Sequence, residues 1–175
     1  MREINKIVVH HTGSSILGPL DSPKLVKLRH KYLRGFEDIG YHYLIGNGYL
    51  TGDGEIYQGR DIEKIGAHAK GHNKDSLGIA LIGNFNISRP TENQWESLIE
   101  LLYSQCDMYD LNPSNIYGHK ELEGADTSCP GKHVNMNRIR RDVAMYKAMD
   151  EIKHSKFFHR DIFFNEEGKH EPKNN

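Results

Sequence analysis

The chain lacks long apolar runs, and none of its 175 residues fall in anything near the roughly 18 consecutive apolar positions of a membrane span. The opening residues Met1-Arg2-Glu3-Ile4-Asn5-Lys6 lack the apolar core of a signal peptide. This predicts synthesis in the cytoplasm with no export address. A surplus of one charge is lacking too: 23 Lys and Arg against 24 Asp and Glu leave a formal charge of −1. Such a balance argues against a nucleic-acid partner or an anionic membrane surface. Cysteine is scarce. The two, Cys106 and Cys129, exclude a disulfide framework, and Cys106 lies in an apolar helical pattern. Free or metal-bound thiols are the expectation. With no repeat and no Gly/Ser linker, a single domain and a monomer are expected.

What is present has the marks of an α/β domain. Ile7-Val8-Val9 reads as a buried strand that ends at His10-His11-Thr12-Gly13. Ser22-Pro23 starts a helix, with Leu25, Leu28 and Tyr32 expected along its packed face and Gly35 as its stop. Tyr41-His42-Tyr43-Leu44-Ile45 and Glu55-Ile56-Tyr57 form a hairpin about Asp53-Gly54, and Leu77 to Gly83 is a further buried strand. Thr91 and Gln94 form a capping box before the helical stripe Trp95, Leu98, Ile99 and Leu102, which Asn112-Pro113 breaks. Ile116-Tyr117-Gly118 is a short strand, and Met136, Ile139, Val143 and Tyr146 predict a final helix.

The expected architecture is therefore one domain over 1–149, a central mixed sheet flanked by helices, because the hairpin rules out a purely parallel sheet. Residues 150–175 are expected to form a polar tail, partly docked or disordered, in which Phe157, Phe158, Phe163 and Phe164 have no assigned role.

The chain holds 11 His, many of them beside Gly. Candidate metal ligands stand at strand ends and loops: His10 or His11, His119, and Cys129. Zinc favours imidazole and thiolate, and catalytic zinc keeps three protein ligands and one open position. The turn at Pro130-Gly131 is expected to expose the Cys129 thiol.

The order of blocks along the chain is more telling than any one of them. Ile7-Val8-Val9-His10-His11-Thr12, Gly40-Tyr41-His42-Tyr43-Leu44-Ile45 and Ile65-Gly66-Ala67-His68-Ala69-Lys70-Gly71-His72-Asn73 come first. Ser76-Leu77-Gly78-Ile79-Ala80-Leu81-Ile82-Gly83, Gly118-His119-Lys120-Glu121 and Thr127-Ser128-Cys129-Pro130-Gly131 follow. In this order the chain resembles the type-2 N-acetylmuramoyl-L-alanine amidases, which include amidase-type phage lysozymes and animal peptidoglycan recognition proteins.

The resemblance implies a zinc enzyme that cleaves the amide between N-acetylmuramic acid and L-alanine in peptidoglycan. It implies His10, His119 and Cys129 as the ligands of Zn2+, selecting the first of the His doublet. Tyr41 would face the reacting water and Thr127 would stabilise the reacting carbonyl. His68 and Asn73 would lie near the substrate groove, with His11 and Glu121 behind the ligands. The added stretch Asn47 to Gly52 in the hairpin would shape the groove rim. An endolysin released through a holin, antimicrobial in effect, is the expected setting; a cytoplasmic muropeptide-recycling amidase or a bacteriocin-like lysin also fits. Two rival chemistries stand beside it. One is a module that binds muropeptide without cutting it. The other is a cysteine hydrolase using Cys129 with His119.

Overall fold

The computed structural model describes residues 2–13 and 19–164, with side chains described as far as 153. Five strands form one sheet in the order β3-β2-β4-β1-β5. They are β1 (Lys6–His11), β2 (Tyr43–Ile45), β3 (Ile56–Gln58), β4 (Ser76–Leu81) and β5 (Ile116–Gly118). β1 runs parallel to β4 and β5, β2 runs parallel to β4, and only β3 is antiparallel, at one edge. The mixed sheet predicted from the hairpin is present. No helix among the described residues is long and apolar enough to cross a membrane.

Side chains alternate across a strand, so each face of the sheet draws on every second residue. Ile7 and Val9 of β1 and Leu77, Ile79 and Leu81 of β4 point one way, into the main apolar cluster. Leu98 and Leu102 of helix α2 (Glu92–Met108) and Ile139 and Val143 of helix α3 (Met136–Phe164) complete that cluster. The alternate residues of β4, Ser76, Gly78 and Ala80, are small and leave space over the opposite face.

The capping box at Thr91 forms as predicted: its side chain accepts from Gln94 N–H and the Gln94 side chain bonds back to the Thr91 N–H. α2 ends at Met108, before Asn112-Pro113, because Asp110 takes a left-handed conformation (φ 52°). Trp95 then donates its indole N–H to Asp142 (3.1 Å), which fixes α3 against α2. α3 continues to Phe164, across the boundary expected near residue 150. The four tail phenylalanines have side chains outside the described ones.

Helix α1 (Pro23–Arg34) has the expected cap: Ser22 accepts from Leu25 N–H, and Gly35 ends it with φ 68°. Its packed face differs from the prediction. Val26 and His30 are buried, whereas Leu28 is 42% and Tyr32 77% exposed. The reason is a polar contact that apolar periodicity does not count. His30 Nδ1 accepts from Gly40 N–H (2.9 Å), which turns the Val26/His30 stripe inward.

Candidate metal centre

The parallel register sets the site. Val9 pairs with Gly118, so His10 and His119, the next residue on each chain segment, stand side by side with ring centroids 4.7 Å apart. His10 itself pairs with Ala80, whose single methyl leaves room over the strand. The third group arrives from the loop after β5. Lys120 N–H donates to Cys129 O (2.8 Å), and Gly131 N–H to Ser128 O (2.7 Å). These bonds bend the loop back onto β1.

Cys129 is therefore buried, 7% exposed, and not presented to solvent as the Pro130-Gly131 turn suggested. Its Sγ accepts from His11 N–H (3.4 Å) and lies 3.6 Å from His10 Nδ1. One nitrogen each from His10 and His119 and the Cys129 sulfur all lie within 4.8 Å of one another. Ligand atoms around a tetrahedral metal at zinc-like bond lengths sit about 3.3–3.7 Å apart. A donor set of two imidazoles and one thiol, at this spacing, fits a metal with one position left open.

The electrostatics agree with that use. Burial first, then the imidazoles of His68 and His119, holds His10 well below the usual histidine range. Burial also lowers His119. Both rings are neutral and have a lone pair to give. Burial pushes the Cys129 thiol up to about 12. Such a thiol is no free nucleophile near neutral pH, which disfavours the cysteine-hydrolase reading. A cation at the site is what would deprotonate it.

The other expected residues fall in distinct places. Tyr41 is half-buried, its ring 5.1 Å from that of His10 and 5.2 Å from that of His30. Burial, then the neighbouring Cys129, pushes its phenol well up, so it stays protonated and can donate. Thr127 is exposed; its Oγ1 accepts from Cys129 N–H (3.1 Å), leaving the hydroxyl proton free to point elsewhere. Thr127, His119, Lys70 and His72 line an open cleft of about 140 Å³.

His11 points to the opposite face from His10, where its Nδ1 accepts from Phe85 N–H (3.1 Å). Glu121 accepts from Gly118 N–H (2.8 Å) and pairs with Arg140, holding the turn that carries His119. Asn73 Oδ1 accepts from both His68 N–H and Ala69 N–H, which shapes that loop. His68 is buried, with Nδ1 3.1 Å from His10 Nε2. The hairpin residues Asn47 and Tyr49 line a separate cleft of about 280 Å³ that includes none of the three candidate ligands.

Sequence reasoning missed Ser76, Gly66 and Gly78. A Cβ added at either glycine would come within 2.5 Å of the His68 ring. The available signal was the small-residue alternation Ser76, Gly78, Ala80 within an otherwise large apolar strand.

Known proteins share both this fold and this sequence pattern. The sequence model of the N-acetylmuramoyl-L-alanine amidase family matches residues 1–132. The chain belongs to that family. It is 31% identical to a peptidoglycan-recognition protein of Drosophila simulans over 148 residues, 81% of this chain and 75% of that protein. The structure of the N-acetylmuramoyl-L-alanine amidase LysC from Clostridium intestinale superposes with a TM-score of 0.71 at 34% identity. That match covers 82% of this chain and 87% of LysC. A variant of Drosophila PGRP-LB in complex with tracheal cytotoxin matches at 29% identity with a TM-score of 0.64, covering 77% and 79%. The family thus joins amidases and recognition proteins on one fold, and this chain shares that fold with both.

Proposed function

We propose that this protein is a zinc amidase that hydrolyses the bond between N-acetylmuramic acid and L-alanine in bacterial peptidoglycan. The observation that carries the reading is the convergence of His10, His119 and Cys129 from three separate segments onto one point. Zinc, when bound, supplies a Lewis acid that polarises the amide carbonyl and activates water at neutral pH. His10 and His119 would hold it as neutral imidazoles, and Cys129 as a thiolate steadied by the His11 N–H. Tyr41, protonated and beside His10, donates through its phenol Oη to orient the attacking water. Thr127 donates its Oγ1 proton to the carbonyl oxygen as charge gathers there. The cleft along Lys70, His72 and Thr127 receives the stem peptide.

The likeness to recognition proteins supports a second reading, in which the same cleft holds muropeptide without cutting it. The presence of Cys129 beside both histidines favours hydrolysis, since a binding surface has no use for a buried thiol aimed at two imidazoles. A setting as an endolysin, made in the cytoplasm and reaching the wall after holin-type release, draws support from an endolysin amidase of Clostridium intestinale, 34% identical. The test is digestion of purified peptidoglycan. Free peptides should appear with no new reducing sugar ends, a chelator should stop the release, and added zinc should restore it. New reducing ends would sink the amidase reading, and tight binding without release would establish the recognition reading.

A further inference from the structure

We infer that His68 is a positioning residue that dictates which nitrogen His10 offers to the metal, and that its own orientation is set by Ser76. The inference rests on the reading of His10, His119 and Cys129 as a metal centre.

The hydrogen bonds have a direction that can be traced from one fixed end. The backbone carbonyl of His72 can only accept, so Ser76 Oγ–H donates to it (2.5 Å). Ser76 Oγ then has lone pairs left to offer, and it faces His68 Nε2 at 3.4 Å. His68 accordingly carries its proton on Nε2 and is bare at Nδ1. That bare nitrogen lies 3.1 Å from His10 Nε2, which must therefore be the protonated nitrogen of His10. The remaining nitrogen, His10 Nδ1, is left unprotonated 3.6 Å from Cys129 Sγ, where a metal would sit. A backbone carbonyl that touches no ligand thus selects the tautomer of one.

The surroundings leave the relay little freedom. His10 is 1% exposed, Ser76 0% and His68 9%, so water does not compete for these bonds. Gly66 and Gly78 enclose the His68 ring so closely that a methyl on either would collide with it. The rings of His10 and His68 lie with centroids 5.0 Å apart and planes at 78°, so they meet through their nitrogen-bearing edges and do not stack. Neither His68 nor Ser76 lines the open cleft, so the role differs from contact with substrate. Partners that orient a metal-bound histidine through its second nitrogen are worth about 10–100-fold in metal affinity.

Two measurements test this on the full-length protein. Long-range proton–nitrogen spectra of the histidine rings in metal-free protein should show His10 and His68 both protonated at Nε2. Zinc competition against a chromophoric chelator should show His68→Leu binding about 10–100-fold more weakly. His68→Asn, whose side-chain oxygen can accept from His10 Nε2–H, should recover most of the loss, and Ser76→Ala should lose less than His68→Leu. A His10 proton found on Nδ1, or a folded His68→Leu that binds zinc as the parent does, would overturn the inference. If His68→Leu does not fold, the ring spectra and Ser76→Ala decide the matter alone. Should His119→Ala and Cys129→Ser also leave zinc affinity unchanged, it is the metal centre that has failed; if they lose zinc while His68→Leu keeps it, only the relay has.

Discussion

The two faces of the sheet are made by alternate residues of the same strands, yet they follow different rules. Toward α2 and α3 stand Ile7, Val9, Leu77, Ile79 and Leu81, each fully buried and packed on other large apolar groups. Toward the site stand Val8, His10, Ser76, Gly78 and Ala80, where small residues make room for rings that carry nitrogen. One face stores stability through area removed from water. The other gives up that area to fix the positions of His10 and His68 and, through the proposed relay, their tautomers. Neighbouring positions on one strand should therefore fail in different assays.

Ile79→Ala should show the largest effect. It removes a fully buried side chain and should cost about 2–5 kcal/mol in urea unfolding, while the protein that remains folded keeps its zinc stoichiometry. A loss of zinc from folded Ile79→Ala would break the division between faces. Gly78→Ala, one residue away, should do the reverse. Its methyl would meet the His68 ring at 2.5 Å, displacing it from His10 and weakening zinc about 10–100-fold, measured by chelator competition.

Acid provides a third comparison, because histidines outside the ligand set serve the fold. His11, His30 and His42 each use Nδ1 to accept a backbone N–H, from Phe85, Gly40 and Gly78 respectively. Burial lowers all three from 6.5 to about 4. The folded state thus binds fewer protons than the unfolded chain between these values, and stability rises with pH across that window. Melting temperature in zinc-free protein should fall as the pH drops from 6.5 toward 4 and go on falling below it, because burial holds His10 and His68 lower still. The smallest effect is expected at Leu33→Ser on the outer side of α1. Leu33 is 78% exposed, so unfolding free energy should stay within about 0.5 kcal/mol of the parent and zinc affinity should not change.

Much of this is legible in the residues alone. The caps at Ser22 and Thr91, the hairpin and the buried strands are local matters of turn chemistry and periodicity, and they form as read. The ligand set is legible only through the order of its blocks, because spacing between distant segments carries no geometry by itself. What escapes are long-range polar contacts. Periodicity misplaces the face of α1 because His30 is drawn inward by Gly40, ten residues on, and apolar counting assigns histidine no inward pull. The burial of Cys129 is missed because a turn in sequence does not reveal what the loop folds back against. Ser76 and Gly78 pass unmarked because their value lies in the space they leave, and only the ring of His68 makes that space visible.

The distance along the chain between His10 and Cys129 has a consequence for how the protein comes to exist. Their contact spans 119 residues, and His119 enters from a strand that pairs with the first one. A metal bound there would close most of the domain into a loop, since the three groups come from the first strand, the turn after the last strand and the loop beyond it. Metal uptake there would require those segments to have come together first. Through mass action it would add about 4 kcal/mol to folding once free metal exceeds its dissociation constant about a thousandfold. The atom that serves the chemistry would then also act as the last fastening of the first strand to the last loop, and the metal supply would govern how long the folded protein survives as well as how fast it works.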